Sequence, residues 1–295
     1  MQNSPFWTIH PYLCRDVVIR DVRISAHGHN NDGVDPEMSQ NILIEDCAFD
    51  QGDDAVSVKS GREDDGWRLA TPSRNIVMRN CLVKNGHQLM AIGSEISGGI
   101  ENVFVDHCRV EQGEGVKSRL NNLLFVKTNE RRGGFVRNIH LSNINSTAIA
   151  GGVLSVDTDV LYQWRTLVPT YQRKLTPIEG LHIRNVTAAS AQYRASVRGE
   201  EALPVKGVTL SDVHVGEITG KAVDLTNVLG FSDRLLAASC CLLMSWIGIA
   251  DGRHLGIENR TLNVLNGSTS VDWMWDKAVP GKLIVERQLS PEAAD

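Results

Sequence analysis

Two short polar segments of this 295-residue chain carry the residue types that acid–base catalysis needs: residues 30–33 (NNDG) and residues 51–54 (QGDD). Asp53 follows Asp32 by 21 residues, and Asp54 comes directly after Asp53. Carboxylates that lie close together repel each other, so the pKa of at least one rises and that group keeps its proton. Three aspartates can therefore supply a general acid and a general base. A ladder of Asx turns and a calcium site are the alternatives that the residues leave open.

Two further polar segments follow along the chain. The first contains His87, and a lone histidine is structural by default, although this one comes one repeat after the acidic pair. The second, residues 127–134 (KTNERRGG), begins at Lys127 and includes Arg132. Lys59 follows the acidic pair more closely. A solvated charged loop is the default for each cation, but together they can supply the local positive field with which an acidic protein holds an anionic substrate.

An internal repeat separates these segments. It consists of seven nine-residue copies, such as DVVIRDVRI and NILIEDCAF, with start-to-start spacings of 25 to 42 residues. The second and fourth positions are apolar in every copy, which is the period-two alternation of a β-strand with one buried face. The sixth position holds Asp, Asn or His, and Asn and Asp suit a tight turn. The copies begin at Asp16, Asn41, Asn75, Asn102, Asn138, Gly180 and Gly207.

Each copy predicts a unit of strand, sharp turn and strand, which cannot bury its own apolar face unless several units stack. Identical patterns stack in register, so the repeat predicts a solenoid of parallel strands. An antiparallel β-sandwich, the alternative, would not require one repeated register. The apolar seventh position places Cys47, Cys81 and Cys108 in the core instead of on a metal, and His107 is predicted to be a turn residue. The two acidic segments then lie on neighbouring turns, about 4.8 Å apart.

Composition and charge limit the function classes. The chain is 42% hydrophobic and 22% charged, with a formal net charge of −5, which does not indicate a nucleic-acid partner. Met1 is followed by neither a basic stretch nor an apolar core, so no secretory signal is predicted. The most apolar stretch, residues 235–250, is shorter than the roughly 20 residues of a membrane span. It predicts a buried segment, and no membrane partner is expected.

The motifs resemble glycoside hydrolase family 28, the polygalacturonases. That family carries an NTD-type, a GDD-type, a GHG and an RIK motif on successive coils. In this chain, after the lead-in NSPFW, the four motifs read NND at 30–32, GDD at 52–54, GHQ at 86–88 and FVK at 125–127. The resemblance spans roughly residues 3–230. It implies an all-β fold, the right-handed, single-stranded parallel β-helix of the pectin-lyase-like solenoids.

By that resemblance, Asp53 is the general acid that protonates the leaving oxygen, while Asp32 and Asp54 activate the attacking water. The family inverts the anomeric centre, which needs carboxyl groups about 6.5–9.5 Å apart. His87 then tunes or orients the acid. Lys127 pairs with a substrate carboxylate, and the other substrate-binding residues expected are Lys59, Arg132 and Asn30.

The resemblance also implies partners and a compartment. The expected partner is a pectic polysaccharide or an oligogalacturonide, bound by a monomer. No metal ion and no other cofactor is implied. Family members act outside the cell or in the periplasm, and this is the expected localisation.

Two positions depart from the family pattern. Gln88 stands in place of the second glycine of GHG, and Phe125 stands in place of the arginine of RIK. The second change removes a possible bidentate clamp on a carboxylate, which a lysine does not replace. Either the substrate differs from that of an ordinary endo-acting polygalacturonase, or the clamp is supplied by Arg119, Arg131 or Arg132.

Two domains and three competing functions are expected. Residues 1–230 form the catalytic parallel β-helix, short of N-terminal coils relative to the family pattern. Residues 231–295 form a tail without the repeat, which either covers the end of the helix or is another kind of extension. The leading function is hydrolysis of α-1,4-galacturonosyl linkages in pectin. The alternatives are a calcium-dependent pectate lyase on the same architecture and an inactive carbohydrate-binding solenoid.

Overall fold

The residues described by the computed structural model are 1–113, 120–161, 164–168 and 170–235, with two short strands further on at Met274–Trp275 and Leu283–Ile284. The chain divides into two compact units, Met1–Leu235 and Leu236–Asp295. Nearly all of the apolar stretch 235–250 and of the expected tail 231–295 falls outside the described residues. In the described ranges, no helix is long and apolar enough to cross a membrane.

Nearly all the regular elements described in the first unit are strands, because each copy of the repeat supplies period-two alternation. In chain order its elements are β1 (Arg15–Arg20), β2 (Arg23–Ala26), β3 (Gln40–Glu45), β4 (Ala48–Gln51), β5 (Val56–Val58), α1 (Glu63–Leu69), β6 (Ser73–Arg79), β7 (Leu82–Asn85), β8 (Gln88–Ile92), β9 (Ile100–Asp106), β10 (Arg109–Val110), β11 (Asn122–Lys127), β12 (Val136–Ser146), β13 (Gly152–Asp157), α2 (Trp164–Leu167), β14 (Ile178–Ala191), β15 (Tyr193–Arg198), β16 (Val205–Ile218), β17 (Val223–Thr226) and β18 (Val228–Arg234). The second unit contributes β19 (Met274–Trp275) and β20 (Leu283–Ile284), an antiparallel pair.

The strands of the first unit stack coil upon coil. One sheet carries β1, β3, β6, β9, β12, β14, β16 and β18 in that order, with β2, β4, β7 and β10 on its other arm. A second sheet runs β5, β8, β11, β13, β15 and β17. The pairing is parallel and in the register of the repeat, since Ile42 pairs with Val17 and with Ile76. The predicted right-handed parallel β-helix is confirmed, and the pairing excludes the antiparallel sandwich.

The backbone is left-handed at the first and the sixth position of each copy. The sixth residue of every copy has a φ between 49° and 57°, from Asp21 through His107 to Asp212. This confirms the predicted turn at that position. The first residue of every copy, from Asp16 to Gly207, has a φ between 55° and 70°, a bend that is not among the sequence predictions. Apart from His107, these places hold Asn, Asp or Gly, because these residues tolerate the left-handed region best.

Asparagine amides connect the first positions of successive coils. The Asn75 amide donates to the Asn41 side-chain oxygen at 2.9 Å, and the Asn102 amide donates to Asn75 at 3.1 Å. Asn41 and Asn138 extend this ladder at its two ends. Each rung satisfies a side-chain amide in a row that stacks one coil on the next.

The interior of the helix is a continuous apolar core. Cys47, Cys81 and Cys108 are 3%, 1% and 0% exposed and carry free thiols, so their predicted place in the core is confirmed. Met78 and the other fourth-position residues are buried, with at most 7% of their surface exposed. Burying a side chain of this size stabilises the fold by about 1.5–3 kcal/mol.

The second sheet presents an outward row of side chains in which Phe125 of β11 pairs with Ala91 of β8 and Ser155 of β13. Lys127 lies two residues after Phe125, so its side chain projects from the same outward face. The acidic segments precede β5, and isolated parallel bridges just after them, Val34 with Val56 and Glu37 with Lys59, continue this sheet by one more coil. The polar motifs therefore converge on one outer face of the helix.

Candidate active site

The two acidic segments lie side by side, as their spacing predicts. The Asp53 N–H donates to the carbonyl of Asn31 at 3.3 Å. The backbone bends at Gly52, and only glycine fits there, because a Cβ would lie 2.1 Å from the carbonyl oxygen of Gly28. Two successive residues of a regular strand point to opposite faces, so this bend is what allows Asp53 and Asp54 to reach one cleft.

A cleft of about 430 Å³ collects the predicted site residues. Seven of the eight residues predicted for catalysis and substrate binding line it, and Arg132 lines a separate cavity of about 370 Å³. The lining combines four carboxylates, four basic side chains, three aromatic rings and a few polar groups. The residues that matter below are Asp32, Asp53, Asp54, Glu95, Lys59, Arg62, His87, Lys127, Phe6, Trp7, Phe125 and Asn30.

Asp53 is the most accessible of the three aspartates. Its side chain is 19% exposed, against 4% for Asp32 and 2% for Asp54. The Nδ1 atom of His87 lies 3.0 Å from Asp53 Oδ1. The hydrogen bond with Asp53 raises the pKa of His87, although burial opposes this. A proton is thus held between these two groups on the cleft surface.

Asp54 is neutralised by a lysine that comes from two coils away. Lys127 Nζ donates to Asp54 Oδ2 at 2.9 Å, and the lysine side chain is 13% exposed. The pair is tight and largely removed from solvent, which strengthens its attraction. An anion with this partner can accept a proton from a water molecule beside it.

A buried ammonium group lies among the carboxylates. Lys59 is 4% exposed, and its Nζ lies 3.6 Å from Asp32, 3.4 Å from Asp35 and 3.7 Å from Glu95. It also donates to Ser57 Oγ at 2.8 Å. Burial lowers the pKa of Lys59, but the three carboxylates outweigh burial and raise it above its ordinary value. Lys59 therefore compensates the acidic cluster from within.

Asp32 and Asp35 form a carboxyl pair below the cleft surface. Burial raises the pKa of Asp32 to about 6, against the lowering by Lys59 and by a hydrogen bond with Asp35. Burial likewise raises the pKa of Asp35, which is fully buried, well above its ordinary value. Neither Asp35 oxygen receives an N–H or O–H donor from the described residues. A proton shared with Asp32 supplies the hydrogen bond that two carboxylate anions cannot form.

Glu95 anchors the basic side of the cleft. Its Oε1 lies 2.7 Å from Arg62 and 3.8 Å from Arg132. Burial disfavours the Glu95 anion, yet Lys59, Arg62 and Arg132 outweigh burial and lower the pKa of Glu95 to about 2. Arg132 is 3% exposed and also pairs with Glu63. It supports Glu95 from behind, at a distance from the cleft surface.

The arginines considered as replacements for a clamp at position 125 do not line the cleft within the described ranges. Arg131 donates to the carbonyl of Val168 and stacks on Tyr171, 3.9 Å from the ring centroid. Arg119 lies outside the described residues. The cleft wall is instead aromatic at both ends, with Phe125 on one side and the stacked rings of Phe6 and Trp7, 4.8 Å apart, on the other.

Asp53, Asp54 and His87 also offer three possible metal-ligand atoms within 4.8 Å of one another. Calcium takes six to eight oxygen ligands, and a histidine nitrogen is foreign to that set. The donor chemistry therefore fits calcium poorly. Asp53 instead pairs with His87 and Asp54 with Lys127, and such pairs of ionisable groups can take part in proton transfer.

Comparison with known proteins identifies the family. A model of glycosyl hydrolases family 28 matches residues 1–241. The chain belongs to glycosyl hydrolases family 28. A probable polygalacturonase of Vitis vinifera is 28% identical to this family 28 chain over 82% of its length, and the match covers 48% of that relative. A polygalacturonase of Saccharomyces cerevisiae is 28% identical over 64% of the chain, again with 48% of the relative covered.

Solved structures of the family show the same fold. A hyperthermoactive exopolygalacturonase from Thermotoga maritima has a TM-score of 0.68 and 34% identity, and the match covers 79% of this family 28 chain and 50% of that one. A polygalacturonase from Erwinia carotovora ssp. carotovora has a TM-score of 0.57 at 20% identity, with 80% and 55% covered. The chain spans about half the length of the curated relatives it matches.

Two acidic residues of this family 28 site are not among the sequence predictions. Asp35 comes three residues after Asp32, and Glu95 lies one coil after Lys59. Lys59 could have indicated both residues. It continues the alternation of Val56-Ser57-Val58 on the outward side of the strand, a few residues after the acidic segment 51–54. A buried lysine requires buried carboxylates as partners.

Proposed function

We propose that this family 28 chain hydrolyses α-1,4-galacturonosyl linkages of pectin with inversion at the anomeric carbon. The observation that carries the proposal is the meeting of Asp32, Asp53 and Asp54 in one cleft, each with a different partner. Carboxyl groups held in different environments can take the roles of acid and base at the same pH. The substrate is a pectic polysaccharide or an oligogalacturonide, and the active form is a monomer.

Asp53 is the general acid of the proposed mechanism. Its greater exposure supports this role, since a general acid must reach the leaving oxygen of a bound chain. His87 holds the Asp53 carboxyl through the 3.0 Å contact and orients the proton toward the glycosidic oxygen. General acids of this kind protonate the leaving group as the sugar develops positive charge.

Asp54 and Asp32 act as the bases that activate water. Lys127 neutralises Asp54, and Lys59 and Asp35 surround Asp32. Inversion requires that the water attack from the face opposite the leaving group, so that a gap for one water separates base from acid. Asp32 and Asp54 are more deeply buried than Asp53, and this difference supports separate roles for them in activating water.

Lys127 and Asn30 contact the substrate directly in this proposal, since both line the cleft and the Lys127 side chain is more exposed, at 13%, than that of Lys59, at 5%. Lys127 shares its ammonium between Asp54 and the carboxylate of the galacturonosyl residue that is cleaved. Lys59 and Arg132, proposed with them as substrate-binding residues, act on the substrate through the charges of Asp32 and Glu95 that they compensate.

The experiment measures reducing-end release from polygalacturonate by the wild-type protein and by Asp53→Asn, with EDTA present. We expect the wild type to turn over and the variant to lose about 10²–10⁴-fold in kcat, the usual contribution of a positioned acid. Circular dichroism of both proteins controls for folding. Equal rates for the two folded proteins would contradict the role of Asp53.

The same assay separates the competing functions. A lyase would lose activity with EDTA and would produce unsaturated ends that absorb ultraviolet light. An inactive carbohydrate-binding solenoid would bind oligogalacturonides with no release of reducing ends. The poor fit of the Asp53–Asp54–His87 donors to calcium favours the hydrolase over the lyase.

A further inference from the structure

The cleft wall that carries Phe125 differs in chemistry from the acidic floor. Phe125 is half-buried, and its neighbours in the outward row are Ala91 and Ser155. Because these two side chains are small, the phenyl ring stands above its row and faces the cleft. Its ring centroid lies 5.8 Å from Lys127 Nζ, a distance on the scale of one sugar ring. At this distance the ring can flank a sugar position next to the one assigned to Lys127 in the proposed function.

The cations of the cleft are already matched by its own carboxylates. Lys127 lies 2.9 Å from Asp54, Arg62 lies 2.7 Å from Glu95, and Lys59 contacts three carboxylates. Among the described lining residues, four carboxylates stand against these three cations and His87. An ionised sugar placed against Phe125 would lose hydration beside Lys127 alone, an ammonium that already pairs with Asp54 and is assigned to the neighbouring sugar, which is unfavourable for a charged group.

We propose that the sugar position flanked by Phe125 takes a residue without a free carboxylate, either a methyl-esterified galacturonosyl unit or a neutral sugar. The inference rests on the proposed hydrolase function and specifies its substrate class. An aromatic ring offers apolar surface to the C–H face of a sugar or to an ester methyl group, and both lose little on leaving water. The linkage that is cleaved then joins an ionised galacturonosyl unit beside Lys127 to an uncharged unit beside Phe125.

The test compares kcat/KM on three polymers: de-esterified polygalacturonate, the same polymer highly methyl-esterified, and a backbone that alternates galacturonosyl units with a neutral deoxyhexose. We expect the wild type to favour at least one uncharged partner over de-esterified polygalacturonate by about tenfold or more. In Phe125→Arg the preference should move toward the ionised polymer by about 10-fold to 100-fold, because a hydrogen bond to a charged group contributes about that factor.

Two control variants accompany Phe125→Arg. Ser196→Arg adds the same charge to the same outward row, two strands beyond Phe125, and should leave the preference unchanged. Phe125→Leu keeps the apolar wall and should retain the wild-type preference within about threefold, since uncharged apolar exchanges of similar size cause small effects. A preference for the esterified polymer identifies the ester as the occupant, and a preference for the alternating polymer identifies the neutral sugar.

The inference is overturned if the wild type cleaves de-esterified polygalacturonate at least as well as both other polymers, or if Phe125→Arg leaves the ratios unchanged. Both results leave the hydrolase assignment standing. Calorimetric binding of matched oligosaccharides to Asp53→Asn gives a second readout that needs no turnover. The two proposals can fail separately. If the wild type cleaves no polymer, the hydrolase function fails. The specificity inference still holds if Asp53→Asn binds an uncharged partner more tightly than the ionised one and if Asp53→Asn/Phe125→Arg reverses that preference. Equal affinities for all three would overturn the inference by itself.

Discussion

Single residues in this site act mainly by compensating one another's charge. Lys59 is the centre of that arrangement, because its ammonium lies within 3.7 Å of Asp32, Asp35 and Glu95 while almost no solvent reaches it. Its removal would leave carboxylates buried without a counterion. Asp35, with no described donor of its own, depends on Lys59 and on a proton shared with Asp32. The raised pKa of Asp32 therefore depends on its burial, and Lys59 and Asp35 beside it limit the rise.

Lys59→Met should destabilise the protein by about 3–5 kcal/mol, the usual result of breaking a buried ion pair from one side. Urea unfolding followed by circular dichroism measures the change. Lys206→Met is the matched control, because Lys206 is exposed on β16 and its loss should change the unfolding free energy by no more than about 0.5 kcal/mol. Similar small effects in the two variants would contradict the compensating role of Lys59.

The pH dependence of kcat/KM should be bell-shaped. Activity rises as Asp32 ionises around its pKa of about 6, and it falls as His87 loses its proton above the ordinary value of 6.5. His87→Gln should lose the alkaline limb and keep the acidic one. A variant that retains both limbs would contradict the assignment of the alkaline limb to His87.

The protonation of Asp32 and of His87 also changes the free energy of unfolding with pH. The raised pKa of Asp32 means that the native state binds this proton more tightly, so its contribution to the unfolding free energy declines as the pH rises from 3.8 to about 6. The raised pKa of His87 means that its contribution is fully present below 6.5 and is lost as the pH rises through the raised value.

At the scale of the elements, each coil is held in place by its two bends. The bends at the first and sixth positions need left-handed backbone, and the asparagine ladder ties the first positions together across coils. From Gly180 onward glycine takes the first position, without a side chain to form rungs. The chain thus uses two solutions for the same bend, one through hydrogen bonding and one through the conformational freedom of glycine.

Asn75 provides a test of these two solutions, because it donates to Asn41, accepts from Asn102 and has a φ of 57°. Asn75→Ala should lower the unfolding free energy by about 3 kcal/mol, from two lost hydrogen bonds and the left-handed penalty on alanine. Asn75→Gly loses the same bonds but no conformational fit, so it should be about 1 kcal/mol more stable than the alanine variant. Denaturant midpoints measure both, and an alanine variant as stable as the glycine variant would exclude the conformational part.

At the scale of the whole molecule, the site exists only because the coils stack. Asp32, Asp53 with Asp54, His87 and Lys127 come from four successive coils whose register is fixed by the pairs Val34–Val56, Val56–Met90 and Met90–Leu124. In a solenoid each coil contacts only its neighbours, so stability is approximately a sum over neighbouring coils. A substitution in the core should therefore destabilise mainly its own coil and the two adjacent coils.

Met78→Ala tests this locality, since Met78 is fully buried between Ile44 and Val105 of the adjacent coils. The substitution should cost about 2–5 kcal/mol, as for other large-to-small changes in a core. Hydrogen exchange measured by mass spectrometry should show faster exchange in β3, β6 and β9, with smaller changes in β14 and β16. A uniform increase across residues 1–235 would indicate that the unit opens as a whole.

The amino-acid sequence by itself determined the coil, its register and its bends at the sixth position. Alternation, turn residues and the interior cysteines Cys47, Cys81 and Cys108 are local properties of each copy, and their repetition leaves one way of stacking. It also placed the aspartates on neighbouring coils. Only the tertiary structure decided which outward side chains converge, because that depends on contacts between coils and on the loops that separate them. This is why Asp35 and Glu95 emerged as partners of Lys59, and why Arg132 lies behind the cleft instead of in it.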